Sequence, residues 1–191
     1  MSPTDWALHW RAHRGWAALL AWCGLMTVAA CLLHARLTLL SYLGTVSPPA
    51  VNVVAVLSAG VMVWFLMPRT ELETVSTRRW ELVDVVFWWA CGLLPALTLA
   101  FVGPGGVVFL RAMLAALGMT TLAWRLTRSP LASLVPAFWF VVTAAAGEIS
   151  GVRYLGFFVI VGDSRTWIIP MLLAVLAWLP TRRGVLGVGR P

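Results

Sequence analysis

"PRTELETVSTRRWELVDVVFWWACGLLPALTLAFV", residues 68–102, changes character halfway along. Its first seventeen residues, 68–84, hold seven charged side chains, and the eighteen that follow hold none. The whole chain has only 14 basic and 7 acidic residues, so a third of its charge lies in less than a tenth of its 191 residues. The uncharged half is close to the ~20 apolar residues that cross a bilayer as a helix. The charged half asks why so apolar a chain gathers its charge in one place.

Working outward, the same apolar run recurs. The chain is 61% hydrophobic with mean hydropathy +0.89. A water-soluble domain of this length could not hide so much apolar side chain, which makes lipid the fitting solvent. Six runs predict six transmembrane helices, at about 16–34, 50–67, 84–102, 106–124, 131–147 and 165–180. The alternating ten-residue segments of a β-barrel do not occur. The expected fold is therefore all-α, a single polytopic transmembrane domain over 1–191. The apolar run beginning at Trp16 has no small-residue cleavage site and reads as a full span, not a leader. Pro95, Pro136 and Pro170 lie inside runs and predict kinks, tolerable where neighbouring helices satisfy the freed carbonyls.

Arginine sets the orientation. Arg11, Arg14, Arg69, Arg78, Arg79, Arg125, Arg128, Arg182, Arg183 and Arg190 fall on one side, and Arg36, Arg111, Arg153 and Arg165 on the other. Ten against four places both termini in the cytoplasm of a bacterial inner membrane. A net charge of +7 would suggest nucleic acid in a soluble chain. Topology explains these arginines, so no nucleic-acid partner is expected. Trp16, Trp80, Trp124, Trp167 and Trp178 stand near run ends, where an indole anchors in the headgroups. Cys23, Cys31 and Cys91 lie within runs as small packing residues and form no disulfide or zinc pattern.

Two segments do not fit as spans. Before the first run, "TDWALHWRAHRGW" puts Trp6, Trp10 and His13 on one stripe of an N-terminal interfacial helix; a disordered basic tail is the other reading. Between the last two runs, "YLGFFVIVG" is too short to cross and too apolar for an open loop. It either dips in as a broken, re-entrant segment or extends the last helix.

No catalytic set emerges. His9, His13 and His34 do not make a metal motif, the acids are scattered, and neither GxSxG nor a phosphate-binding glycine loop is present. No enzyme activity, metal or cofactor is implied. Arg111, one turn into the fourth run, is the intramembrane charge; it either snorkels outward or marks a buried pair or functional site. Glu148, Arg153, Asp163 and Arg165 could close over the outer segment as an ion-paired lid, or form a solvated loop. Asn52, Ser58, Thr98, Thr120, Thr121 and Thr143 suit helix–helix hydrogen bonds.

In the opening stretch, Leu72, Val75, Arg79 and Leu82 share a stripe, with Glu71, Glu73, Arg78 and Glu81 on other faces. That pattern predicts a short amphipathic cytoplasmic helix between the second and third spans. Topology alone calls for Arg, yet four of the seven acids in the chain lie here, which favours a docking surface for a soluble partner over a plain solvated loop.

The layout, together with "PRTELETVSTRRWEL", resembles the permease subunit of type-2 ABC exporters in a small actinobacterial form. The resemblance covers most of the chain as architecture and fifteen residues as sequence. It implies a homo- or heterodimer of permeases in membrane lipid, moved by a separate ATPase subunit. Glu71, Glu73, Arg78, Arg79 and Glu81 would face the ATPase, and Glu148, Arg153, Asp163 and Arg165 would form the external gate. Two other classes fit. One is a substrate-binding subunit of the energy-coupling-factor kind, docking through Ala17, Ala21 and Gly24 of the first span. The other is an accessory scaffold subunit or a membrane enzyme.

Overall fold

The computed structural model describes residues 15–37, 39–41, 44–46, 48–66, 71–127, 129–146, 158 and 164–179, with the backbone alone for 15, 39–41, 44–46, 65–66, 71–84 and 146. The N-terminal stripe of Trp6, Trp10 and His13 lies outside the described residues, as do Glu148, Arg153 and Asp163.

The apolar runs are helical. They form α1 (Gly15–Cys31), α2 (Val51–Leu66), α3 (Glu71–Ala100), α4 (Pro104–Thr127), α5 (Leu134–Ala146) and α6 (Ile168–Trp178). Among the described residues one helix, Pro104–Thr127, is long and apolar enough to cross a membrane; the apolar helical stretches Trp16–Cys31, Val51–Trp64, Val85–Ala100, Pro130–Ala145 and Ser164–Trp178 are shorter.

The fold is all-helical as expected, with one short addition between α1 and α2. Strands β1 (Leu39–Ser41) and β2 (Gly44–Val46) pair antiparallel, Leu39 opposite Val46. A bridge between Arg36 and Pro49 extends the ribbon, and Leu37 N–H donates to the Pro48 carbonyl at 2.9 Å. Proline has no N–H to donate but accepts normally, so Pro48 and Pro49 can stand on the edge of a ribbon.

A correction concerns the charged stretch. It is not a separate short helix: α3 runs unbroken for 30 residues from Glu71 to Ala100. Nothing in "RWELVDVVFW" is a helix breaker, so the i to i−4 ladder has no reason to stop at the change from charged to apolar.

Proline positions decide which helices are disturbed. Pro136 and Pro170 are each the third residue of their α-helix, after a 3-10 turn (Pro130–Ser133 before α5, Ser164–Trp167 before α6). First-turn amides have little or no α-helical partner to lose, so these prolines mark helix starts, not kinks. Pro95 alone lies deep inside a helix.

The turns are short because the residues permit it. α3 closes with Val102 N–H on the Leu99 carbonyl at 3.0 Å, and Pro104 opens α4 two residues later. A Cβ on Gly106 would run into the Leu99 carbonyl, so this hairpin requires glycine there. Between α4 and α5 the Ser129 hydroxyl caps the next turn by accepting from Leu131 N–H at 3.2 Å.

α4 is the central helix, packed against α2, α3 and α6. Its sequence explains this: Ala112, Ala115, Ala116 and Gly118 let neighbouring backbones approach, while Phe109, Met113 and Leu117 fill the spaces between. The outward faces are apolar, with Leu20, Leu94, Phe101, Phe138, Val141, Met171 and Val175 all exposed.

Candidate functional site

Seven polar side chains of this bundle point inward. Asn52, Ser58, Arg111, Thr120, Thr121, Thr143 and Thr166 are all buried. They gather in two places along α4.

The first lies at the end of the bundle where α4 begins, called here the Gly103 end. Arg111 is 2% exposed and its Nη1 donates to the Thr166 hydroxyl, in the 3-10 turn before α6. Asn52, in the first turn of α2, donates through Nδ2 to the Phe158 carbonyl at 2.5 Å. That donation fixes the amide's orientation, because a carbonyl can only accept. Phe158 is itself fully buried and meets Phe140 of α5 edge-on, with centroids 6.0 Å apart. Two buried polar groups from two helices thus hold positions 158 and 166. Phe158 sits in a turn and not on α6, and the rest of "YLGFFVIVG" lies outside the described residues.

The second lies toward the other end, near Ser129. Trp89 Nε1 donates to the Thr121 hydroxyl at 3.0 Å, and the Trp89 ring meets Trp178 of α6 edge-on with centroids 5.4 Å apart. Arg125 Nη1 donates to the carbonyl of Leu179, at the C-terminal cap of α6, at 3.1 Å. A cation at a helix C-terminus meets orphan carbonyls and the negative end of the dipole.

Together, Arg111 and Arg125 bolt α4 to both ends of α6. Low residue number meets low and high meets high, so the two helices run parallel. Between the bolts Gly118 lies against the backbone of Leu173, where a Cβ would stand 3.0 Å from the Leu173 carbonyl carbon.

Arg111 is therefore internal, paired to Thr166, and does not snorkel outward. It contacts the immediate neighbour of Arg165, which is exposed in the same 3-10 turn. Glu71, Glu73, Arg78, Arg79 and Glu81 lie on the first three turns of α3, and their side chains are outside the described residues. Of the mild polar residues, Asn52 and Thr121 bridge between elements, whereas Ser58, Thr98 and Thr143 bond carbonyls of their own helices. Thr120 Oγ1 has no partner among the described residues. Trp124 corrects the interfacial expectation: it is buried. Cys23 and Cys31 face outward instead of packing inside. Among the described residues no group of three or more His, Cys, Asp or Glu could hold a metal.

Thr166, Phe158 and Trp22 were not legible as contacts. Each works across 55 to 106 residues of sequence, and the only local signal is an isolated polar or aromatic residue in an apolar run.

Compared with family models, with curated proteins and with solved structures, the chain matches none.

Proposed function

We propose that this chain is the six-span membrane subunit of a transporter, an exporter permease of the type-2 ABC kind, and that a separate ATPase docks on the charged first half of α3. The observation carrying the reading is the length of α3. At 1.5 Å per residue, its 30 residues extend roughly 45 Å, against a hydrocarbon core of about 30 Å. The excess coincides with Glu71–Asp84, the most charged segment of the chain. A charged arm continuous with a membrane helix transmits a push from a soluble partner without a joint at the bilayer surface.

The inverted polarity of the bundle supports the membrane reading. Exposed Leu, Phe, Met and Val side chains surround a core holding Asn52, Arg111, Thr120 and Thr121. That arrangement suits lipid outside and polar contacts inside. α1, α2, α5 and α6 are shorter than a full span and complete their crossings by flanking turns and local thinning. In this reading the Gly103 end faces outward and the ATP chemistry belongs to the docked subunit. The functional unit is a dimer of permeases in a bacterial plasma membrane.

The test is co-purification from the native membrane. With Glu71→Lys and Glu73→Lys together, expression and α-helical content stay unchanged and the associated ATPase falls at least tenfold. An ATPase that stays bound at wild-type stoichiometry sinks the docking proposal.

A further inference from the structure

Pro95 has no N–H, so the carbonyl four residues earlier, that of Cys91, loses its helical donor. In a bundle with no water at that depth, such a carbonyl needs a donor from elsewhere. Here it has one: the Trp22 indole N–H, from α1, donates to the Cys91 carbonyl at 3.1 Å. The neighbouring residue is Gly92. A Cβ there would stand 2.9 Å from Trp22 Cζ2, 2.8 Å from Met113 Cε and 3.1 Å from Leu117 Cδ1. The bare glycine is what lets the indole reach the ladder. The Trp22 ring is fully seated, with Trp88 of α3 packed on it at 5.0 Å between centroids.

We infer that α3 carries a hinge at Cys91–Pro95, and that Trp22 is its latch: a positioning residue whose N–H takes the place of the missing proline amide. Before the proline α3 buries Val85, Trp88, Trp89 and Gly92, and just after it Ala96, while Val86, Leu94 and Leu97 face outward. The hinge therefore lies between two segments that are each seated along one face. A helix missing one ladder bond bends most easily at that point. With the latch closed, α1 sets the course of α3, and a displacement of the inner segment carries α1 with it or breaks the Trp22 bond. Its use as a route from the arm into α1 rests on the docking proposal above; the latch itself does not.

The test is a double-mutant cycle on the purified full-length chain in nanodiscs. Trp22→Phe keeps a ring against Trp88 and removes only the donor. Pro95→Ala restores an amide to the Cys91 carbonyl, so the latch has nothing left to hold. Trp22→Phe alone is expected to lower the melting temperature by roughly 3–8 °C, the effect of one buried carbonyl left without a donor. In the Pro95→Ala background it costs less than half as much, the non-additivity that marks a shared contact. A second readout follows bending directly. Spin labels at Thr77→Cys and Leu97→Cys, with the native cysteines replaced by alanine, report the span across the hinge. Trp22→Phe broadens that distance distribution, and Pro95→Ala narrows it around the ~30 Å of a straight helix, with or without Trp22. Equal losses in both backgrounds, with unchanged distances, overturn the latch. That failure leaves ATPase docking untouched, and loss of docking leaves the cycle untouched.

Discussion

At the scale of single residues, the threonines differ in worth although they look alike in sequence. Thr166 accepts from a buried guanidinium, Thr121 from an indole, and Thr120 Oγ1 from no described group. Hydrogen bonds to charged groups contribute about 1.5–3 kcal/mol and neutral ones about 1 kcal/mol, whereas removing an unsatisfied polar atom is neutral or favourable. Substitution by valine should therefore destabilise in the order Thr166, Thr121, Thr120, the last by nothing or with a gain. Reversible unfolding in mixed micelles checks the order; a Thr120→Val loss as large as that of Thr166→Val contradicts it. Sequence alone singles out Arg111, because charge in an apolar run is conspicuous. It does not single out Thr166, because a threonine in an apolar run is ordinary. The buried arginine was legible and its acceptor was not.

At the scale of elements, glycines mark where helices touch. Gly118 meets the Leu173 backbone, which cannot move aside as a side chain could, whereas Gly60 of α2 has nothing within 4 Å of where a Cβ would be. Gly118→Val should push α4 from α6 and cost about 1–3 kcal/mol by overpacking. Gly60→Ala should add up to about 1 kcal/mol of helix propensity. Thermal melts of the two variants should move in opposite directions. Helix positions were largely legible, since apolar runs bounded by Gly and Pro predict them within a few residues. The β-ribbon was not, because two three-residue strands are too short for an alternating pattern to show, and Pro48 enters the ribbon only as an acceptor. The unbroken course of α3 was also hidden. A shift from charged to apolar looks like a boundary, yet it changes only the surroundings of a helix and not its ladder.

At the scale of the whole molecule, the order of helices and the two arginine bolts agree on polarity. α4 and α6 run parallel, so α5 must return between them, and the Gly103 turn and Ser129 stand at opposite ends of the bundle. In inverted and right-side-out vesicles, Gly103→Cys should react with an impermeant thiol reagent only from outside, and Ser129→Cys only from the cytoplasmic side. Labelling of both from one side excludes the six-span arrangement. Helix positions follow from composition and spacing, which are local properties. The interior contacts follow from side chains far apart in sequence, so a lone arginine was visible while the threonine that receives it was not.

The bolt between Arg111 and Thr166 also has a place in time. A ribosome finishes α4 long before it reaches Thr166, 55 residues after Arg111. At 5–20 residues per second those 55 residues take roughly 3–11 s. Throughout that time the nascent chain holds a guanidinium whose final hydroxyl has not been synthesised. The central helix of the finished bundle thus waits during biogenesis for the last helix to arrive beside it, and Asn52 of α2 waits longer still, 106 residues, for Phe158.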